Sequence, residues 1–390
     1  MADPAASPSV GPEARPAPPW SWADAGAVSV MFLATRFLVA ALGYFANLRI
    51  EKFDPNGTWW ENKLPHPLSV FFQWDAGWYL SIVRDGYSFR PGEKGNVAFF
   101  PLYPLLTRWL GWLIGDVITA GFIVSNLACW GAALLLYRLV LLESGDRALS
   151  RRAAWLLLIF PTSFYLLTYY TEALFLCCIL GCLYACRRGR HVQAALWGGA
   201  ACFTKELGIV LALPLGLHWL GLDWIRWRPR WSALRDFRWL LYGLLPAVLL
   251  GYMTFLWIRF GDPLAFSHAQ AAWERKLVWP WVTILGGARY GLFERILYAL
   301  FIAIALVGLA GAAARKVPML YVAYALAMLL TTLSSNLLES SPRLIGIMFP
   351  VVWGWAALTR DELRERVVSL SFALLLALCT ILFVSGYRMY

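Results

Sequence analysis

Charge is scarce in this 390-residue sequence: 15% of the residues are Asp, Glu, Lys or Arg, while 60% are hydrophobic. A soluble domain carries about 25% charged residues, so a chain built for lipid is indicated. Histidine is scarcer. The four present, His66, His191, His218 and His268, are scattered and form no triad. The seven cysteines, Cys129, Cys177, Cys178, Cys182, Cys186, Cys202 and Cys379, all fall in apolar runs, and none has metal-ligand spacing to a histidine. Cys178, Cys182 and Cys186 read as small residues on one helix face, so neither a disulfide nor a zinc site is expected. An internal repeat is missing, and so is the basic start of a signal peptide. The opening stretch MADPAASPSVGPEARPAPPW is rich in Pro and Ala, and residues 1–24 read as a disordered cytoplasmic tail.

Long apolar runs are what the sequence does have. A helix needs about 20 apolar residues to cross the hydrocarbon core. Runs at 25–46, 117–142, 152–168, 171–187, 192–204, 206–223, 239–260, 293–314, 318–336, 343–359 and 367–387 qualify or come close. The fold class expected is an all-α polytopic membrane protein of about eleven transmembrane helices, in one domain spanning 25–390. The formal net charge of +11 does not point to nucleic acid, because the basic residues sit in short clusters between apolar runs. Membrane topology produces that pattern, with Lys and Arg retained on the cytoplasmic side.

These clusters also fix the span count. They lie at Arg138–Arg152, at Arg187, Arg188 and Arg190, at Arg226–Arg238, at Arg315 and Lys316, and at Arg360, Arg364 and Arg366. If residues 192–220 were one helix, the Arg226–Arg238 cluster would fall outside. With two short helices meeting at Lys205-Glu206, every cluster falls inside. Eleven spans with a cytoplasmic N-terminus then place the loop 47–116, Glu172, the Lys205 corner, the loop 261–292 and Arg343 on the outer side. Charged groups at membrane depth are expensive and mark function, so this convergence is informative.

Residues 74–85 read as an amphipathic helix in the first external loop, with Trp74, Trp78, Ile82 and Val83 apolar and Asp75, Arg84 and Asp85 polar. Residues 98–114 read as an interfacial helix interrupted by two prolines, and the loop is expected to roof a cavity. Asp75 is either a general base for an attacking hydroxyl or a helix N-cap. Lys205 either faces an anionic headgroup or pairs with Glu206 or Glu172. Arg343 either binds phosphate or snorkels to the interface. Glu172 suits a helix N-terminus. Gln270 and Trp273 either hold a sugar by hydrogen bonding and stacking or anchor an outer helix in the interface.

Four stretches together carry a family resemblance: WDAGWYLSIVRDGY followed by NVAFFPLYPLLTRWLG, FPTSFYLLTYYTEALF, GDPLAFSHAQAAWER and SPRLIGIMFPV. Their order and spacing resemble the PIG-V family of GPI mannosyltransferases and bacterial relatives, with a WDA-x-x-Y…GY…AFFP-x-P-L pattern, over about residues 25–387. The resemblance implies a GT-C glycosyltransferase that takes a sugar, mannose, from a polyprenyl-phosphate carrier and delivers it with inversion to a lipid or glycan acceptor on the extracytoplasmic face. It implies Asp75 as catalytic base, Lys205 and Arg343 near the donor phosphate, and Trp74, Tyr79, Asp85, Glu172, Gln270 and Trp273 about the substrate. Asp85 or Glu172 would orient the acceptor or bind a cation. No cofactor is required, although a divalent cation is compatible. No Asp-x-Asp motif occurs, which fits a lipid-linked donor. The usage, rich in Ala, Arg, Trp and Pro, looks bacterial, which places the chain in the inner (plasma) membrane. The eukaryotic members carry an arginine-containing turn where this chain has Thr204-Lys205-Glu206. The alternatives are a transporter or flippase for a lipid-linked solute, or a non-catalytic subunit with the same fold.

Overall fold

The computed structural model describes residues 20–51, 66–225, 227–286 and 290–387. Among these its regular structure is helical, apart from one isolated bridge between Leu277 and Ser335. In chain order the helices are α1 (Trp22–Arg49), α2 (Ala76–Asp85), α3 (Leu102–Ile114), α4 (Val117–Ser144), α5 (Arg147–Leu158), α6 (Glu172–Arg187), α7 (His191–Thr204), α8 (Ala212–Trp219), α9 (Leu244–Phe260), α10 (Ala265–Ala271), α11 (Pro280–Leu285), α12 (Leu292–Ala314), α13 (Met319–Leu333), α14 (Ser341–Gly346), α15 (Phe349–Leu358) and α16 (Glu362–Val384). Each of the eleven apolar runs contains a helix. Five helical segments, Trp22–Arg49, Val117–Ser144, Phe237–Phe260, Leu292–Ala314 and Glu362–Val384, are long and apolar enough to cross a bilayer on their own. The protein is a multi-pass membrane protein.

The predicted tail falls outside the described residues as far as residue 19, but the folded chain begins before residue 25. Ser21 and Asp24 form a capping box on α1, and Asp24 is fully buried. Tyr137 Oη donates to its carboxylate at 2.6 Å and Arg147 Nη1 at 2.7 Å. A folded-state partner, not composition, decides where such a tail ends. Residues 52–65 of the predicted external loop also lie outside the described residues. In the rest of that loop, the two prolines of the 98–114 stretch do not interrupt a helix; they start one. Pro101 stands at the N-cap of α3 and Pro104 in its first turn, where the missing N–H has no helical partner to lose.

The contacts divide the bundle into two ends. Asp24 joins Arg147. Glu143 at the end of α4 binds Arg187 and accepts from Tyr321 Oη at 2.6 Å. Arg152 Nη1 donates to Thr359 O at 3.0 Å, and Trp224 Nε1 to Val317 O at 2.7 Å. These bonds gather the basic clusters at one end. His191 at the start of α7 lies 5.1 Å, ring to ring, from Trp219 at the end of α8, so the two segments run antiparallel with Lys205 at the far turn. The hairpin expected from the loop charges is present.

The backbone turns irregular at three places at that far end. Pro161 stops α5, and the chain from Ile159 to Thr171 runs as a turn and a short 3-10 segment with every residue buried. Lys205 interrupts the α7–α8 hairpin in an extended conformation, φ −152° and ψ 147°. The α14–α15 span breaks at Ile347–Met348, before Pro350. Irregular backbone at membrane depth survives only where protein or a water-filled cavity satisfies it.

Candidate active site

The α7–α8 turn, the start of α14 and the two outer loops enclose one cavity of about 460 Å³. Trp74, Asp75, Trp78 and Tyr79 reach it from the start of α2, Lys205 and Glu206 from the hairpin turn, Gln270, Trp273 and Arg275 from the loop after α9, and Ser340 and Arg343 from α14. Seven of the nine residues singled out in the sequence therefore line one space. Trp78, Phe99 and Trp273 close it with ring contacts of 5.5 to 6.2 Å, which ties the two outer loops together.

Asp75 stands at the N-cap of α2 but makes no side-chain cap bond, so the capping role is not taken up. Instead its Oδ2 accepts from Arg343 Nη1 at 2.5 Å. Its backbone N–H donates to Tyr170 Oη at 3.1 Å, and that hydroxyl donates to Gln73 O at 3.0 Å. Trp74, immediately before it, has φ 53°, a left-handed conformation that costs a non-glycine residue of order 1–3 kcal/mol and clusters at functional sites. The side chain of Asp75 keeps 23% of its exposure, against 8% for Arg343. It is a carboxylate held in place from one side and open to the cavity on the other.

Behind it lies Glu172, fully buried at the N-terminus of α6. Its Oε1 accepts from Lys205 Nζ at 2.9 Å and lies 3.3 Å from Arg343 Nε. The pairing of Lys205 with Glu172 weighed in the sequence is thus made, and Arg343 is drawn inward between two acids. Its guanidinium also lies over the rings of Tyr170 and Tyr165, at 5.4 and 6.0 Å. Lys205, Glu172, Arg343 and Asp75 form one chain of alternating charge from the hairpin turn to the cavity mouth.

Glu172 does not line the cavity; it sits beneath, holding the two cations that do. Asp85 is not brought in. It is exposed at the last residue of α2, away from the cavity lining. Tyr79 is buried and its hydroxyl is shared with Thr171 Oγ1 at 3.0 Å, which fastens α2 to the buried turn. Gln270 faces the cavity with no side-chain hydrogen bond among the described residues. No group of three or more His, Cys, Asp or Glu placed to hold a metal ion occurs among them.

Sequence inspection passed over Arg275 and Ser340. Arg275 Nη2 donates to Ser340 Oγ at 2.5 Å. Burial, reinforced by the charge of Arg343, pushes its guanidinium below the ordinary value, while Asp75, Glu206 and Glu339 pull the other way. The one available signal was its place in the same WER stretch as Trp273.

A family model described as "Mannosyltransferase (PIG-V)" matches residues 53–258, which holds Asp75, Glu172 and Lys205. No curated protein sequence matches the chain. Two oligosaccharyltransferase structures from Archaeoglobus fulgidus, the first of AglB, are similar over 92% of this chain. One is a complex with an inhibitory peptide and a dolichol-phosphate (14% identity, TM-score 0.45). The other carries a tethered acceptor peptide (15% identity, TM-score 0.44). The chain spans 56% and 55% of those two proteins.

Proposed function

The chain belongs to the PIG-V mannosyltransferase family and is a membrane glycosyltransferase, and from that premise we propose that it moves mannose from a polyprenyl-phosphate carrier to an acceptor hydroxyl, with inversion at the anomeric carbon, on the extracytoplasmic face. The observation that carries this reading is the uncapped Asp75 carboxylate, fixed by Arg343 at the mouth of a cavity that also holds Lys205.

Asp75 accepts the proton of the acceptor hydroxyl as that oxygen attacks C1 of the donor sugar. The C1–O bond to phosphate breaks and the electron pair leaves with the phosphate. Arg343 and Lys205 balance the charge that collects there, and such preorganised electrostatics supplies a large share of most enzymatic accelerations. Glu172 keeps both cations in register. Gln270 supplies an unengaged amide to a sugar hydroxyl, and Trp273 a ring face. This is the chemistry of a GT-C-type enzyme.

The experiment is transfer by the purified protein. Radiolabelled polyprenyl-phosphate mannose and a membrane extract are expected to give labelled acceptor, while nucleotide-linked mannose gives none. Transfer from the nucleotide sugar alone would refute the lipid-linked donor.

Sidedness rests on the basic clusters, which share the end opposite the cavity and belong in the cytoplasm by the positive-inside rule. All seven native cysteines are buried, so a single Trp231→Cys variant gives a clean label. An impermeant maleimide is expected to leave it unmodified in intact cells and to modify it after permeabilisation. Strong labelling from outside would invert the topology.

A further inference from the structure

Several basic residues at the end of the bundle opposite the cavity meet acids. Arg147 and Arg151 reach Asp24, Arg152 reaches Glu365, and Arg187 reaches Glu143. The segment 220–243, between α8 and α9, is different. It holds five arginines and four tryptophans against two acids, Asp223 and Asp236. Asp236 is engaged by Arg238, and Asp223 Oδ1 accepts from the backbone N–H of Ile225 at 2.9 Å. Arg228, Arg230 and Arg235 are exposed and make no ion pair among the described residues. Retention of positive charge on one side of the membrane accounts for the sign of this cluster, but not for the rings interleaved with it.

Those aromatic residues divide into two sets. Trp219 Nε1 donates to Ala233 O at 3.0 Å, Trp224 Nε1 to Val317 O at 2.7 Å, and the backbone N–H of Arg230 to Leu220 O at 2.9 Å. These bonds fold the segment back on the end of α8 and on the chain just before α13. Trp227, Trp231 and Phe237 are left outside, with 69%, 67% and 71% of their surface exposed. The two short 3-10 stretches Trp231–Arg235 and Phe237–Gly243 contain no buried residue. A retention signal needs charge alone. Exposed indole rings are costly in water and settle at the headgroup level of a bilayer. The segment runs directly into Phe237–Phe260, which is long and apolar enough to cross, so its rings and guanidinium groups stand at that level.

We propose that residues 227–237 form a docking surface for anionic phospholipid in the leaflet at this end of the bundle. Arg228, Arg230 and Arg235 pair with headgroup phosphates, to which a guanidinium offers two parallel N–H donors. Trp227 and Trp231 seat beside them, rings toward the acyl chains. Basic clusters flanking a span recognise anionic lipid in this way. The proposal needs only a membrane-embedded chain and is independent of the transferase reading, so failure of either leaves the other standing.

Purified protein in an uncharged detergent would be titrated with phosphatidylglycerol and with phosphatidylcholine of the same acyl chains, bound lipid being counted by native mass spectrometry. Wild type is expected to prefer the anionic lipid about tenfold or more. The preference should shrink as ionic strength rises from ~0.01 M to ~0.15 M, where the screening length falls from about 30 to about 8 Å. The triple variant Arg228→Gln/Arg230→Gln/Arg235→Gln should lose the preference and keep its phosphatidylcholine binding. Arg364→Gln/Arg366→Gln removes charge at the same end from arginines already paired with Asp361 and Glu362, and should keep the preference. A wild type without preference, or a triple variant that retains it, would overturn the surface. An equal loss in the Arg364/Arg366 pair would reduce it to an effect of net charge, and displacement by inorganic phosphate at the lipid's own concentration would make it a site for a free anion; either result also overturns it. If the triple variant elutes as an aggregate, the single variants Arg228→Gln and Arg235→Gln decide. Each should lose several-fold of the preference, and no change in both overturns the proposal.

Discussion

Replacement of Asp75 by Asn is expected to cut mannosyl transfer by about 10²–10⁴-fold, the range that a positioned general base contributes. The amide keeps the size of the carboxylate and can still accept a hydrogen bond from Arg343, but it cannot take a proton. The fold should survive, because Asp75 caps nothing and Arg343 keeps Glu172 as a partner. Transfer rates and thermal unfolding in the same detergent separate the two effects. Wild-type rates in a folded Asp75→Asn protein would reduce the residue to a partner for Arg343.

Glu172→Gln is expected to do the opposite kind of damage. It leaves Lys205 and Arg343 without their shared buried carboxylate, and breaking one partner out of a buried ion pair costs about 3–5 kcal/mol. Stability should fall further than in Asp75→Asn, and activity should fall with it because Arg343 loses its inner anchor. The double variant Glu172→Gln/Lys205→Met should recover part of the stability, since it removes one of the stranded cations. If Glu172→Gln unfolds at the wild-type temperature, the charge chain is not what holds that end of the bundle together.

Much of this architecture was written in the sequence, for identifiable reasons. Apolar runs and basic clusters are repeated many times, so errors in one are corrected by the others. The Lys205 turn could be placed because only a hairpin keeps all the clusters on one side. Asp75 and Arg343 were found because a charge beside an apolar run is conspicuous. Other parts depended on partners distant in sequence. Asp24 looked like tail until Tyr137 and Arg147 met it. Glu172 looked like a helix-end acid and turned out to be the buried hub for two cations. Asp85 lies at the exposed far end of α2, ten residues and about 15 Å along the helix from Asp75. Arg275 sits in a loop among other charges, where an arginine normally reads as solvated; its place is set by Asn336 and Ser340, more than 60 residues on.

The central claim is a single displacement in which Asp75 removes a proton and forms no bond to the sugar. The configuration at C1 of the transferred mannose, read by NMR against that of the polyprenyl-phosphate donor, tests it most directly. The account predicts inversion. Retention would mean two displacements through a covalent sugar–enzyme intermediate, would make Asp75 a nucleophile, and would contradict the proposed mechanism.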